Sequence, residues 1–296
     1  MAEFQAFTSP SSVLVTGGTR GIGRAVVEAL SKEGILVFAG CRNRADGDAL
    51  AASLASENGV SGVLPVQLDV TDPASVAAAV EDVKGKLQTL EPLVTLDAIV
   101  NNAGVLLERE GTPLADVVED TLRVNFDGVV SVTEAFLPLV SDGAHVVHVS
   151  SNSGARVHGK LSSETRAAVD AAPGTAALRE LFTLLSREAA ATGTVEATPI
   201  YGMSKCALNA YTRLSAGEAP RRIRVNACSP GFCRTDIAGA TTYTREPKDA
   251  ALGATVIIKL LLGELAPDAT GRFFKEVSAP GTPLERSKSR EEPWMC

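Results

Sequence analysis

The chain has 296 residues, 45% of them hydrophobic and only 4% aromatic, so small aliphatic side chains must build a large core. Its formal net charge of -7 argues against a nucleic-acid surface, which needs a basic face. The five cysteines form no CxxC pair and no cluster with histidine at metal-ligand spacing, and the first ten residues carry no basic segment or long apolar run. We therefore expect a cytoplasmic protein with no bound metal, no membrane span and no nucleic-acid partner.

Short apolar runs alternate along the chain with longer helical patterns. Alternation of this kind indicates βαβ units around a parallel sheet, and continuously apolar runs are typical of strands buried on both faces. The sequence thus predicts an α/β fold of the Rossmann type, with one doubly wound, mostly parallel seven-stranded sheet and helices on both faces. The predicted strands are 12–16, 35–40, 63–70, 96–104, 144–151, 222–231 and 272–277.

Two segments look like additions to this domain, which we expect to span 1–296 as a single unit. Residues 155–199 interrupt the pattern before Tyr201, and residues 280–296 are charged and punctuated by proline, which predicts a surface strap. The first addition should contain one amphipathic helix, because apolar residues recur there with i, i+3, i+4, i+7 spacing. They are Leu178, Leu181, Phe182 and Leu185.

A glycine-rich loop, TGGTRGIG over residues 16–23, follows the first strand and precedes a helix. Glycines allow a tight turn there, and the helix N-terminus offers free N–H groups to a pyrophosphate. A glycine cluster alone also suits an ordinary strand-to-helix turn, but the order of strand, loop and helix favours dinucleotide binding. The residues expected at the phosphates are Gly17, Thr19, Arg20, Gly21, Ile22 and Gly23.

The end of the second strand indicates which dinucleotide is bound. An acid at this place would bind the ribose 2′-hydroxyl of NAD, but the sequence reads Gly40–Cys41–Arg42–Asn43. Arg42 could bind a 2′-phosphate through its planar guanidinium, and Arg20 could add a second positive charge. The alternative is that both arginines are solvated surface charges. We predict NADPH/NADP+ as the cofactor.

Three polar residues suggest how a proton could be delivered to a carbonyl. Tyr201 and Lys205 are four residues apart and share one face of a helix. A cation ~4 Å from the phenol contributes about 4 kcal/mol at an effective dielectric near 20, which stabilises the tyrosinate left after proton donation. Ser151 ends a strand, where ligands bind in open α/β sheets, and its hydroxyl can polarise the same carbonyl. Alone, a YxxxK pattern also arises from packed or solvated side chains.

LDV at 68–70, NNAG at 101–104, Asn125 and SPGFCRT at 229–235 accompany these motifs in chain order. Taken together, they resemble the short-chain dehydrogenase/reductase family over roughly residues 12–275. The resemblance implies a catalytic set of Asn125, Ser151, Tyr201 and Lys205, in which Asn125 holds a water beside Lys205 and Lys205 also holds the nicotinamide ribose. The residues that carry the resemblance, in chain order, are TGGTRGIG (16–23), LDV (68–70), NNAG (101–104), Asn125, Ser151, YGMSK (201–205) and SPGFCRT (229–235). Cofactor contacts are also implied for Asp69, Val70, Asn102, Ala103, Gly104, Tyr201, Lys205, Pro230, Gly231, Cys233, Arg234 and Thr235.

Tyr201 follows Ser151 by 50 residues, far more than is usual in the family. This gap, together with Trp294 near the C-terminus, is similar to the monomeric carbonyl reductase subgroup. The resemblance implies a monomer that reduces ketones, aldehydes and quinones with NADPH. The expected substrate contacts are Ser151, Asn152, Ser153, Tyr201 and Phe232, with walls from 105–108, from the 155–199 insertion and from the segment through Thr242. The mostly apolar lining favours uncharged carbonyl compounds as the small-molecule substrate.

Two other functions remain open on the sequence alone. One is a substrate-specific alcohol dehydrogenase or ketoreductase of secondary metabolism. The other is a non-catalytic NADPH-binding sensor, although such proteins tend to lack the tyrosine or the lysine, and both are present here. His145 and His148 are given no role, and His158 fits a solvated loop or the substrate mouth.

Overall fold

The computed structural model describes residues 10–59, 61–90, 94–192, 199–220, 222–237 and 246–292. Its strands form one sheet in the order β3-β2-β1-β4-β5-β6-β7-β8, parallel except for the antiparallel pair β7 and β8. This confirms the doubly wound α/β prediction, with eight strands instead of seven. The strands are β1 Ser12–Thr16, β2 Leu36–Cys41, β3 Val63–Gln67, β4 Leu96–Asn101, β5 Val140–Val149, β6 Arg224–Ser229, β7 Phe273–Glu276 and β8 Ser289–Glu292.

Ten α-helices lie within the described residues, most of them between the strands. The long helical stretch after β4 is divided, because a π-helical turn at Arg123–Asp127 separates two α-helices, and short 3-10 turns occupy Leu137–Leu139 and Leu284–Arg286. The helices are α1 Gly21–Lys32, α2 Arg44–Asn58, α3 Pro73–Gln88, α4 Leu114–Leu122, α5 Gly128–Phe136, α6 Asn152–Lys160, α7 Ser163–Asp170, α8 Thr175–Thr192, α9 Pro199–Glu218 and α10 Ala250–Leu261.

The two faces of the sheet are covered by different helices. On one face, Leu30 of α1 and Ile257 of α10 pack with the strand residues Val13 and Val15, all fully buried. On the other face, α3 and α5 pack on the alternate strand residues, with Phe136 of α5 fully buried. Because both faces are covered, the central strands are apolar at successive positions, as the sequence indicated.

The insertion before Tyr201 forms three helices where the sequence predicted one. α8 contains the predicted apolar stripe, and Leu178 and Phe182 are buried against α4 and α9. α6 and α7 were not predicted, because α6 has a polar composition and α7 is only eight residues long. Residues 193–198 of the insertion lie outside the described residues.

The C-terminal tail contributes the eighth strand. The sequence predicted a surface strap over 280–296, but Ser289–Glu292 within it forms a strand that pairs antiparallel with β7. The reason is that an edge strand made of Ser, Arg and Glu carries no apolar alternation, and charged residues are typical of protected sheet edges. Lys275 and Glu292 form an ion pair of 2.6 Å across the two strands. Trp294 lies outside the described residues.

Within the described part of the chain, no helix is long and apolar enough to cross a membrane, and no cluster of His, Cys, Asp or Glu could hold a metal ion. The described cysteines Cys41, Cys206, Cys228 and Cys233 are free and buried.

Candidate active site

The glycine loop between β1 and α1 is shaped as a cradle for an anion. Gly17 and Gly21 have φ of 63° and 55°, which favour glycine. A Cβ atom on Gly23 would lie 2.2 Å from the carbonyl oxygen of Gly17, so no larger residue fits. The side chain of Arg20, the residue before α1, makes no capping hydrogen bond, which leaves the first N–H groups of the helix open to a ligand.

The NNAG segment after β4 is tied to this loop. Nδ2 of Asn102 donates to the carbonyl oxygens of Thr16 at 2.9 Å and Gly17 at 3.2 Å. Oγ1 of Thr16 in turn accepts from the backbone N–H groups of Asn102 and Ala103, both at 3.0 Å. The two segments therefore form one unit at the point where the strand order reverses, between β1 and β4, where ligands bind in open α/β sheets.

The predicted 2′-phosphate arginines are both exposed but differ in their partners. Arg42, directly after β2, forms no ion pair with the described residues, and its charge contributes to lowering the pKa of Asp69. The larger cause of that lowered pKa is Thr71, which donates from its hydroxyl to Oδ1 of Asp69 at 2.7 Å. Arg20 forms an exposed ion pair with Asp236 at 2.8 Å. An exposed pair of this kind contributes little energy and is easily exchanged for another anion.

Lys205 is buried beside Tyr201 at the start of α9. Its Nζ donates to the carbonyl oxygen of Val149 at 2.8 Å and lies 5.8 Å from the centroid of the Tyr201 ring. Burial lowers the pKa of Lys205 to about 8, so the amine is mostly charged at neutral pH. An ammonium has three donors, and the bond to Val149 uses only one of them. The half-buried Tyr201 thus has a cation close to its ring, as the spacing predicted.

Ser151 is brought to the same place by a close contact between α6 and α9. A Cβ atom on Gly154 would lie 2.6 Å from the carbonyl carbon and oxygen of Lys205, so the two helix backbones touch there. Ser151 stands directly before α6, and its Oγ accepts from the N–H of Ser153 at 3.1 Å. The hydroxyl hydrogen of Ser151 donates to none of the described residues and is available for a substrate carbonyl.

Asn125 lies in the π-helical turn and is fully buried. Its Oδ1 accepts from the N–H of Val105, and its Nδ2 donates to the carbonyl oxygen of Val105 and to Oγ of Ser204. Both hydrogens of the side-chain amide are therefore engaged, which leaves the second lone pair of Oδ1 and the backbone of Asn125 to hold the predicted water beside Lys205. A Cβ atom on Gly104 would lie 3.2 Å from Oδ1 of Asn125 and 3.5 Å from Nζ of Lys205, so both of these atoms face Gly104.

The segment after β6 packs against the glycine loop. Cγ2 of Thr235 would lie 3.0 Å from a Cβ on Gly21, so Thr235 borders the anion cradle. Cys233 is buried and its thiol donates to the carbonyl oxygen of Pro230, which leaves only its backbone for the predicted cofactor contact. Gly231 rests on the buried Lys248, whose Nζ would lie 2.8 Å from a Cβ there. The half-buried Phe232 precedes a stretch, 238–245, that lies outside the described residues.

The remaining predicted residues surround these groups. The N–H of Asn152 donates to Oγ of Ser229 at 3.1 Å, and Ser153 is buried with its Oγ accepting from Arg156. Val70 packs against Gly128 of α5, where a Cβ would lie 2.8 Å from Cγ2 of Val70. Two further polar residues lie here: Lys248, which was not predicted, and Glu108, which was predicted only as part of the wall 105–108. Glu108 is buried, and its Oε1 accepts from the backbone of α9.

The site contains an anion cradle, an arginine at the end of β2 with no ion pair among the described residues, and a lysine–tyrosine pair. Together they fit a dinucleotide with a 2′-phosphate and define an oxidoreductase site. The sequence model of the short chain dehydrogenase family matches residues 11–171, and that of the Enoyl-(Acyl carrier protein) reductase family matches residues 181–260. The chain belongs to the short chain dehydrogenase family.

Individual relatives cover nearly the whole chain. Carbonyl reductase [NADPH] 1 of Homo sapiens is 31% identical, over 90% of this chain and 95% of that protein. Salutaridine reductase of Papaver somniferum is 29% identical, over 92% of this chain and 96% of that protein. The solved structure of the latter superposes with a TM-score of 0.74 at 26% identity, covering 89% of this chain and 99% of that one. These relatives confirm the predicted resemblance to carbonyl reductases.

Proposed function

We propose that this protein reduces ketones, aldehydes and quinones to alcohols with NADPH, as a monomer in the cytoplasm. The observation that carries the proposal is the placement of Lys205 under Tyr201, with the hydroxyl of Ser151 fixed on α6 by the contact at Gly154. The related proteins include salutaridine reductase and carbonyl reductase [NADPH] 1, and the name of the second supports a carbonyl substrate and NADPH.

NADPH, when bound, supplies the hydride for the carbonyl carbon. The hydroxyl of Tyr201 donates a proton to the carbonyl oxygen, and Ser151 donates a hydrogen bond to the same oxygen, which lowers the energy of the developing alkoxide. The charged amine of Lys205 stabilises the tyrosinate that remains, because it lies 5.8 Å from the ring centroid in a buried site where charges are poorly screened. Solvent then returns the proton to Tyr201.

The protein's residues also suggest where the cofactor would be held. The N–H groups at the start of α1 and the glycines beside them would bind the pyrophosphate, and Arg42 would bind the 2′-phosphate with a charge-assisted fork. Arg20 would exchange its ion pair with Asp236 for a contact with the same 2′-phosphate. The uncommitted donors of Lys205 suit ribose hydroxyls.

The insertion supports the proposal of a monomer. α8 packs along α9 and α4, and Arg179 of α8 binds Asp127 through Nε at 2.8 Å and Glu119 through Nη2 at 2.6 Å. This surface of the catalytic helix is thereby covered by the chain itself. Light scattering should give the chain mass of 30.7 kDa, and twice that mass would contradict the proposal.

The activity is tested by following NADPH absorbance with a panel of a quinone, an isatin-like diketone and an aromatic aldehyde. We expect turnover with NADPH and a much higher KM with NADH. Tyr201→Phe should lower kcat by about two to four orders of magnitude, the usual contribution of a positioned general acid, while the Kd for NADPH stays within about twofold. Full activity in this variant, or tight NADPH binding without turnover of any panel member by the wild type, would refute the proposal.

A further inference from the structure

The catalytic tyrosine lies in the first turn of its helix. α9 begins at Pro199, so Ile200 and Tyr201 are its second and third residues. Backbone N–H groups in the first turn have no acceptor within the helix, and such turns fray when nothing else holds them. Oε1 of Glu108 accepts from both groups, at 2.8 Å from the nitrogen of Ile200 and 3.0 Å from that of Tyr201.

This arrangement differs from the capping of three other helices. α2, α3 and α10 are each capped by the side chain directly before the helix, namely Asn43, Asp72 and Asp249. Glu108 belongs instead to the loop between β4 and α4, more than ninety residues from Tyr201 in the chain. A local cap stabilises one helix end, whereas this one fixes the catalytic helix relative to the sheet.

The carboxylate of Glu108 is buried at a cost. The residue is only 6% exposed, and its Oε2 has no hydrogen-bond partner among the described residues. Burial raises the pKa of this carboxyl, although its bonds to Tyr201 and Ile200 oppose the shift. The charge of Arg109 also opposes the raised pKa of Glu108, but its Nη1 donates to the backbone oxygens of Leu106 and Glu108. A buried acid that leaves one oxygen unpaired is an expensive cap for a helix end.

The same loop also reaches the other side of the Tyr201 peptide. Oγ of Ser204 donates to the carbonyl oxygen of Tyr201 at 2.8 Å and accepts from Nδ2 of Asn125 at 2.9 Å. Asn125 in turn is bonded to both backbone groups of Val105. The loop 105–108 therefore holds the N–H of Tyr201 through Glu108, and its carbonyl oxygen through Asn125 and Ser204.

From this geometry we infer that Glu108 is a positioning residue of the reduction, which holds the backbone of Tyr201 so that its hydroxyl meets the substrate carbonyl beside Lys205. The inference rests on the proposed function. Small displacements of a catalytic group cost up to about a hundredfold in rate, so removing the hydrogen-bond acceptor at position 108 should lower kcat. Among the described residues expected to bind the cofactor, Glu108 hydrogen-bonds only to the backbone of Tyr201, so NADPH affinity should not depend on it.

The test compares Glu108→Met, which fills the space without an acceptor, with Glu108→Gln, which keeps an acceptor oxygen. We expect Glu108→Met to lower kcat by roughly tenfold to a hundredfold, with the Kd for NADPH within about twofold of wild type. Glu108→Gln should keep kcat within about threefold of wild type, and Glu108→Asp, shorter by one methylene, should lie between the two. Glu110→Ala removes an exposed acid from the same loop and serves as the matched control, with wild-type kcat.

A second readout is independent of turnover. Amide hydrogen exchange of the peptide 199–203 should be faster in Glu108→Met than in wild type and restored in Glu108→Gln. Unchanged exchange or unchanged kcat in the Met variant would overturn the inference, as would a parallel loss of NADPH binding or a Gln variant as slow as Met. If the wild type reduces no carbonyl, the proposed function fails, and the exchange measurement alone decides whether Glu108 holds the tyrosine helix.

Discussion

Two buried histidines should make the protein sensitive to acid. His148 of β5 is fully buried, stacks on Tyr211 with ring centroids 5.4 Å apart, and lies 2.9 Å from Oγ1 of Thr212 through Nδ1. His145, on the same strand, is 6% exposed and faces Arg224. Burial lowers the pKa of His145 to about 4 and that of His148 to about 3, with help from the charges of Arg224 and Lys205 respectively.

Both lowered pKa values make the folded chain less stable in acid. Below the ordinary histidine pKa of about 6.5 the unfolded chain binds a proton at each site while the folded chain does not, so the free energy of unfolding falls with decreasing pH. The loss runs from pH 6.5 down to about 4 for His145 and about 3 for His148. At about 1.4 kcal/mol per pH unit, each histidine removes about 2 kcal/mol at pH 5, and the pair removes about 4 kcal/mol.

The assay is urea unfolding at pH 7.5 and pH 5.0 for wild type and His145→Gln. Carboxylates that titrate in this range contribute equally to both proteins, so the difference between them isolates the histidine. We expect the variant to lose about 2 kcal/mol less than wild type between the two pH values. Equal losses in the two proteins would show that His145 is protonated in the folded state, and the reasoning from burial would be refuted.

Three further predictions concern the cofactor cradle and the insertion. Arg42→Ala should raise the KM for NADPH by about tenfold to a hundredfold, which is the contribution of a charge-assisted hydrogen bond. The KM for NADH should stay within about twofold of wild type. Equal effects on both cofactors would exclude a contact between Arg42 and the 2′-phosphate. Gly23→Ala places a Cβ 2.2 Å from the carbonyl oxygen of Gly17. It should therefore destabilise the protein by about 1–3 kcal/mol and weaken NADPH binding measured by calorimetry. Gly85→Ala, whose Cβ would meet nothing within 4 Å, should change neither stability nor binding. Arg179→Met removes the half-buried bonds to Asp127 and should lower the free energy of unfolding in urea by about 1–2 kcal/mol, between the values for surface and buried ion pairs. Arg123→Met breaks an exposed ion pair and should lower it by under about 0.5 kcal/mol.

Features encoded by neighbouring residues could be predicted from the sequence. The glycine loop is one such feature, because a positive φ at Gly17 and the absence of room at Gly23 leave a local trace. The start of α3 is another, since Asp72 accepts from the N–H of Ala74 and Pro73 follows at the first helical position, a combination of adjacent residues that is typical of helix starts. The four-residue spacing of Tyr201 and Lys205 likewise fixed their common helix face.

Features that depend on distant partners could not be predicted. Glu108 is one acid in a charged loop, and only the folded chain brings it to the N-terminus of α9. β8 has no apolar pattern because its stability comes from pairing with β7 and from ion pairs such as Lys275 with Glu292. The engagement of Asn125 by Val105 and Ser204 is equally invisible in the sequence, since its partners lie 20 and 79 residues away.

The contact at Gly154 divides the insertion into two parts with different tolerance for change. α6 meets α9 backbone to backbone, so any side chain at Gly154 would push Ser151 away from Tyr201. α7 and α8 are joined to the rest by side chains such as Leu178, Phe182 and Arg179. We therefore expect the chemistry to tolerate substitutions in 161–192 better than changes to the backbone course of 151–160.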